Sequence, residues 1–154
     1  MNLDRYQFLT NESFLDFEFE SKGPKGRIKK VVRYSPQNAN GITYFNLSFG
    51  DWNAKTGKIS DSVISNNNDT ERILATVAAT VLEFISHFPD VMVYAKGGTP
   101  SRTRLYQMGI SANWHEIEPL LIVYGFSKRV WQPYKKNINY EAFLATSQIN
   151  NKFT

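Results

Sequence analysis

The residues best suited to chemistry lie between Gly97 and Tyr106. Two glycines that suit a turn follow a short apolar strand, and Thr99 is a good N-cap for a helix that begins at Pro100. Backbone amides at a helix start attract anions, and two arginines lie within the next turn. The segment therefore predicts a binding site for a small ligand that carries a phosphate or a carboxylate. The predicted ligand-binding residues are Gly97, Gly98, Thr99, Ser101, Arg102 and Arg104.

The arginines of this segment allow two interpretations. Arg102 and Tyr106 are four residues apart and share a helix face, which would offer a guanidinium and a phenol to a ligand, and Arg102 would then carry little packing. Leu105 and Met108 fall on a different face and are expected to anchor the helix to the core. Alternatively, the arginines bind acidic neighbours within the fold and the glycines only turn the chain. The segment lacks the lysine of a GxxxxGK phosphate loop, so the sequence identifies no cofactor and leaves open whether a reaction is catalysed.

Composition narrows the class of protein. The chain has 154 residues, 42% of them hydrophobic, which suits one compact domain over residues 1–154. The absence of cysteine excludes disulfides, thiolate metal sites and a thiol nucleophile. The two histidines do not form a metal-ligand pattern. Because no segment is typical of a signal peptide or a membrane span, we expect a soluble, cytoplasmic protein.

A second candidate surface is basic and aromatic. The run 22–33 contains six positive residues and no acid, and segment 128–136 adds further cations with Trp131 and Tyr134. Segments 22–34 and 128–136 would suit nucleic acid or a protein partner. Alternatively, the acidic stripe of strand Phe14–Glu20 pairs with the basic stripe of the following strand, and each such pair contributes roughly 0.2–1 kcal/mol. In that case the basic run is neutralised within the sheet.

Hydrophobic patterning predicts the elements that position these residues. Apolar residues at helical spacing between Ile73 and Phe88 mark a long amphipathic helix that lies flat on a sheet, and Gly109 is the expected C-cap of the Thr99 helix. Segments 35–41 and 128–139 are predicted loops. The predicted strands are Phe14–Glu20, Arg27–Tyr34, Ile42–Phe49, Lys58–Ile64, a strand at Val91, Leu120–Phe126 and Tyr140–Thr146. The expected fold is α+β, a mainly antiparallel twisted sheet of about six or seven strands packed against one long and one short helix.

The chain resembles an uncharacterised bacterial domain family. The resemblance rests on the pattern GxTxxRTRLY at residues 97–106, on the opening FEFESKGPKGRIKKVV and on the closing NYEAF. It covers nearly the whole chain. The family implies no established activity, so this resemblance predicts membership and nothing about mechanism.

The order of elements also resembles, more remotely, that of GCN5-related N-acetyltransferases without most of their N-terminal helical part. Their short fourth helix often reads Asn-x-x-Ala-x-x-Leu-Tyr-x-x-x-Gly-Phe. Here Thr99 and Arg102 stand at the Asn and Ala positions, Leu105 and Tyr106 match, and Gly109 comes one residue early. The resemblance implies that Tyr106 is a catalytic general acid.

The loop that holds the coenzyme A pyrophosphate in those enzymes, Gln/Arg-x-x-Gly-x-Gly/Ala, is replaced here by NNNDTERIL. Asp69 and Glu71 would occupy the place of the phosphates, and no glycine allows the backbone to approach them. The resemblance therefore implies a divergent acyltransferase-like protein without an intact coenzyme A loop.

Overall fold

The computed structural model describes residues 4–60 and 66–148 and has an α+β architecture. Residues 61–64 of the predicted strand Lys58–Ile64 lie outside the described residues. The described residues form nine strands and three helices. The strands are β1 (Leu9–Thr10), β2 (Asp16–Gly23), β3 (Gly26–Ala39), β4 (Ile42–Asn53), β5 (Lys58–Ser60), β6 (Val93–Ala95), β7 (Leu121–Ser127), β8 (Val130–Pro133) and β9 (Ala142–Ser147). The helices are α1 (Thr70–His87), α2 (Pro100–Ala112) and α3 (Trp114–Ile117).

The strands form one open, mixed sheet in the order β1-β2-β3-β4-β6-β9-β7-β8, and β5 pairs with the end of β4. The described neighbours are antiparallel except β4 and β6, which run parallel with Phe45 opposite Val93 and Leu47 opposite Ala95. The chain crosses from β4 to β6 through α1. The α+β class is confirmed, and β1 and β8 are strands that the sequence analysis did not predict.

Helix α1 packs across one face of the sheet and supplies much of the core. The predicted apolar positions Ile73, Val77 and Ile85 are buried. Phe84 has no exposed surface, and its ring stacks on Tyr34 of β3 with centroids 4.1 Å apart and planes 5° apart. Within the described part of the chain, no helix combines the length and hydropathy needed to cross a membrane.

Two threonines of α1 also face the sheet. The Thr80 hydroxyl donates to Val77 O at 2.8 Å and lies 2.9 Å from the Tyr34 hydroxyl. The Thr76 hydroxyl donates to the carbonyl four residues back and accepts the Tyr6 N–H at 2.8 Å. Such local bonds give both hydroxyls a partner although both side chains are buried. Burial raises the pKa of the Tyr34 phenol far above its ordinary value.

The two predicted loops, 35–41 and 128–139, each contain a tight hairpin turn between strands. β3 and β4 are joined by Asn40 and Gly41, with φ of 53° and 80°, so most of the predicted loop 35–41 is strand. Asn-Gly is the pair that most favours a type I′ turn, because both central residues need positive φ. The predicted loop 128–139 likewise begins with a hairpin, in which Lys128 and Arg129 join β7 to β8.

Helix α2 extends further than predicted. It continues past Gly109 to Ala112, and Asn113 is its C-cap. Gly109 lies against α1 instead, since a Cβ at this position would lie 3.3 Å from Leu74 Cβ. The prediction that Met108 anchors the helix to the core is wrong, because its side chain is 50% exposed.

Candidate anion-binding pocket

A pocket of about 430 Å³ lies where β6 ends and α2 begins. Residues 96–100 form one side of it, and residues 139–141, which lead into β9, form the other. Its position follows from the topology, because β6 delivers the chain to α2 through the turn that the sequence analysis selected. Gly97, Gly98, Thr99 and Arg104 all line it.

The turn before α2 is fixed by its own threonines. Thr99 Oγ1 accepts the Arg102 N–H at 3.1 Å, which confirms the predicted N-cap. Thr103 Oγ1 accepts the Gly97 N–H at 2.9 Å and donates to Thr99 O. A Cβ on Gly97 would lie 2.5 Å from Arg102 Cβ, so only glycine allows the turn to pack this closely on the helix. These bonds use the Gly97 and Arg102 amides, whereas the Ser101 amide has no acceptor within the helix by geometry.

The charges around the pocket come from three exposed side chains. Lys96 precedes the turn and Arg104 begins the second turn of α2, and both cations line the pocket. Glu141, on the opposite side, contributes one carboxylate. The local balance is therefore positive by one charge, and the positive end of the α2 dipole adds to it.

The far wall of the pocket is held to α2 by Gln107. Its amide nitrogen donates to Ile138 O, and its amide oxygen accepts the Tyr140 N–H at 3.1 Å. The Tyr140 ring lies against β7, where a Cβ on Gly125 would come within 2.3 Å of it. Segment 138–141 is thus fixed from both sides, by α2 and by β7.

Arg102 requires a correction, since the structure does not place its guanidinium at the pocket. The side chain is 3% exposed, and Nη2 donates to Phe49 O at 2.6 Å and to Ser60 O at 3.3 Å. The guanidinium carbon also lies 5.0 Å from the centroid of the Phe49 ring. Arg102 therefore joins α2 to β4 and β5, and the expectation that it carries little packing is wrong. Its predicted contact with a ligand has no support from this position.

Tyr106 lies on the inner side of α2. It is buried and, with residues of α1 and the sheet, lines an apolar cavity of about 90 Å³ in the core. It does not line the pocket at the start of α2, and neither does Ser101, which is exposed on the helix start. The role of Tyr106 as a general acid stays a prediction.

The predicted site omitted seven residues that line the pocket, which are Lys96, Pro100, Thr103, Gln107, Asn139, Tyr140 and Glu141. Lys96 directly precedes the predicted turn, so the reasoning that selected Gly97 and Gly98 could also have selected it. Residues 139–141 come to the pocket only through the pairing of β9 with β6, which no local pattern reveals. Among the described residues, no three His, Asp or Glu side chains gather closely enough to hold a metal ion.

The basic run 22–33 is largely neutralised. Across β2 and β3, Arg33 Nε binds Asp16 at 2.8 Å, and looser pairs join Lys29 to Glu18 at 3.2 Å and Arg27 to Glu20 at 3.7 Å. The run therefore does not form the continuous basic surface that one interpretation required. Lys30, on the helix side of the sheet, is bound to Asp51.

Comparison with known proteins identifies the family of the chain. The chain belongs to a family of unknown function (DUF6934), whose model matches residues 2–148. The match includes every helix and strand described above. It confirms the predicted membership in an uncharacterised family. No curated protein and no solved structure matches the chain, and the resemblance to acetyltransferases stays a prediction.

Proposed function

We propose that the pocket at the start of α2 binds a small ligand with a phosphate or carboxylate group. The observation that carries the proposal is that Lys96 and Arg104 both line the pocket formed by the fixed turn 97–99. An anion there meets two cations and the positive end of α2. In this proposal Gly97, Gly98 and Thr99 form the floor of the pocket.

The first turn of α1 is a poorer anion site than that of α2. The Asp69 carboxylate occupies it, where Oδ2 accepts the Tyr6 hydroxyl at 2.6 Å and the Ser21 hydroxyl at 2.5 Å. Glu71 adds a second negative charge in that turn. In an acyltransferase-like protein this is where the coenzyme A phosphates would bind, and the fixed carboxylate would repel them. A divergent acyltransferase-like protein remains the more specific form of the proposal, supported by the order of elements, with its anion site at α2.

Glu141 limits which anions suit the pocket. A ligand with several negative charges would be repelled by this carboxylate, whereas a monoanion is attracted by the remaining positive balance. Because all three charged side chains are exposed, solvent and salt screen them, and we expect binding in the millimolar range. The proposal includes no reaction.

The test is an NMR titration of the ¹⁵N-labelled protein with inorganic phosphate and with acetate. We expect the Gly98 and Thr99 amide signals to shift, and Arg104→Ala and Lys96→Ala each to weaken the affinity about two- to fivefold. Lys58→Ala, an exposed lysine on β5, is the matched control and should change nothing. If neither anion shifts these amides at millimolar concentration, the pocket is not an anion site.

A further inference from the structure

The sheet face that points away from the helices carries a row of aromatic rings. Tyr44 on β4 contacts Tyr94 on β6 with centroids 5.8 Å apart, and Tyr94 contacts Trp131 on β8 at 6.2 Å. Phe126 on β7 completes the row, 5.1 Å from Trp131. The neighbouring residues on these strands, such as Val93, point to the other face and line the core cavity under the helices.

Trp131 makes this row continuous. β9 and β7 lie between β6 and β8 in the sheet, so the indole reaches across two strands to contact Tyr94. It remains 39% exposed, and Tyr44, Tyr94 and Phe126 are each partly exposed. The row, Tyr44–Tyr94–Trp131–Phe126, therefore presents π-surface to solvent instead of filling the core.

Two cations are held at one end of the row in an unfavourable backbone conformation. Lys128 and Arg129 form the two-residue turn between β7 and β8, with φ of 51° and 67°, and both are exposed. Positive φ is costly for residues with a Cβ, and such turns prefer Asn-Gly. The same chain uses Asn40 and Gly41 at the equivalent place between β3 and β4. The β7–β8 turn thus accepts strain and presents two positive charges beside Trp131, the kind of feature that marks functional sites.

The acidic side chains of β2 lie on this face, but their charges are balanced and should repel a polyanion only weakly. Those on β2 are paired with basic residues of β3, as the three ion pairs of that hairpin show. Glu141 lies close by in sequence, and its N–H donates to Phe126 O, but its side chain lines the pocket on the helix side. The aromatic half of the face is therefore bordered by the positive β7–β8 turn.

We propose that this face binds single-stranded nucleic acid, with bases stacked on the row and phosphates contacting Lys128 and Arg129. Every base has a π-face, so exposed rings beside cations suit a single strand without a requirement for sequence. A mainly apolar protein partner would leave the two cations desolvated without partners, which disfavours it. The surface lies on the opposite side of the sheet from the helix α2 pocket, so the proposal does not depend on anion binding there.

The first experiment measures fluorescence anisotropy of a labelled oligothymidylate of about 12 nucleotides with the full chain at low salt. We expect binding, with Trp131→Ala and Tyr94→Ala each lowering the affinity at least about fivefold, because each ring stacks a base. Trp52→Ala is the matched control. It removes an indole from the ion-paired half of the sheet, where Trp52 lies under Lys29, and should leave the affinity unchanged.

The second experiment separates charge from folding. The double variant K128N/R129G installs the preferred turn pair, so we expect an equal or higher Tm together with weaker oligonucleotide binding. Loss of two phosphate contacts should lower the slope of log affinity against log salt by about 1.4. The double variant K55A/K58A, which removes two exposed lysines near the β4–β5 turn, should keep the wild-type slope.

Three results would overturn the proposal. The first is no binding by the wild-type chain at low salt. The second is binding that Trp131→Ala and K128N/R129G leave unchanged, which would place the nucleic acid elsewhere. The third is a wild-type dimer in sedimentation analysis that Trp131→Ala converts to a monomer without any effect of oligonucleotide, which would identify the face as an interface between copies.

Discussion

Replacement of Arg102 by alanine should destabilise the fold, whereas the same change at Arg104 should not. The Arg102 guanidinium is buried and donates to two backbone carbonyls, on Phe49 and Ser60. A hydrogen bond from a charged group contributes about 1.5–3 kcal/mol, and truncation also leaves the buried carbonyls without these donors. Since the bond to Ser60 O is long, we expect a loss of about 3–5 kcal/mol in the free energy of unfolding. Arg104 is exposed and should change the stability by less than about 0.5 kcal/mol.

Urea unfolding followed by circular dichroism measures both variants, and thermal melts provide a second readout. For a chain of this size the loss at Arg102 corresponds to a Tm lower by about 6–20 °C. The Tm of Arg102→Lys should lie between those of the wild type and Arg102→Ala. An ammonium keeps the charge but lacks the planar fork that reaches two carbonyls. The reasoning is refuted if Arg102→Ala costs no more than Arg104→Ala, or if Arg102→Ala abolishes anion binding at full stability.

Three further predictions concern the core. Phe84→Ala should lower the free energy of unfolding by about 3–5 kcal/mol in urea titrations, because its ring is fully buried. Gly50→Ala should prevent stable folding, seen as loss of a cooperative melt, since its Cβ would lie 1.7 Å from Ser60 O. Stability should fall as pH rises above about 10, since the raised pKa of the Tyr34 phenol means that only the unfolded state ionises there. Tyr34→Phe should flatten this alkaline loss in urea titrations from about pH 9 to 11 at a neutral-pH cost of about 1 kcal/mol.

Much of the fold was predictable because it follows from local patterns. The alternation of β2 and the apolar repeat of α1 each concern side chains close together in sequence, and both elements lie near their predicted positions. The cap at Thr99 also depends only on residues three positions apart. The hairpin turn at Asn40–Gly41 was missed although its signal is local, because the polar residues around it are equally typical of a loop.

The features that could not be predicted from the sequence depend on the order of strands in the sheet. The far wall of the pocket, 139–141, reaches α2 only because β9 enters the sheet between β6 and β7. The aromatic row joins β4, β6 and the β7–β8 hairpin, which are three segments far apart in the chain. Periodicity can predict which side of its strand Tyr94 faces, but it cannot show that this ring contacts Trp131, which lies in a segment predicted as a loop. Such pairings are set by strand order, which loop lengths and composition leave undetermined.

The difference in burial between Arg102 and Arg104 follows from helix geometry. Residues two apart on an α-helix point about 200° away from each other, so two such arginines cannot both contact one ligand beside the helix. Arg102 shares its face with Tyr106, and both are buried. Arg104 shares its face with Met108, and both are exposed. The face that carries Tyr106 turns inward, so Arg102 has a structural role and Arg104 is the arginine of this pair that solvent can reach. A helix start with two arginines at this spacing therefore offers one guanidinium to solvent, and in this chain it is that of Arg104.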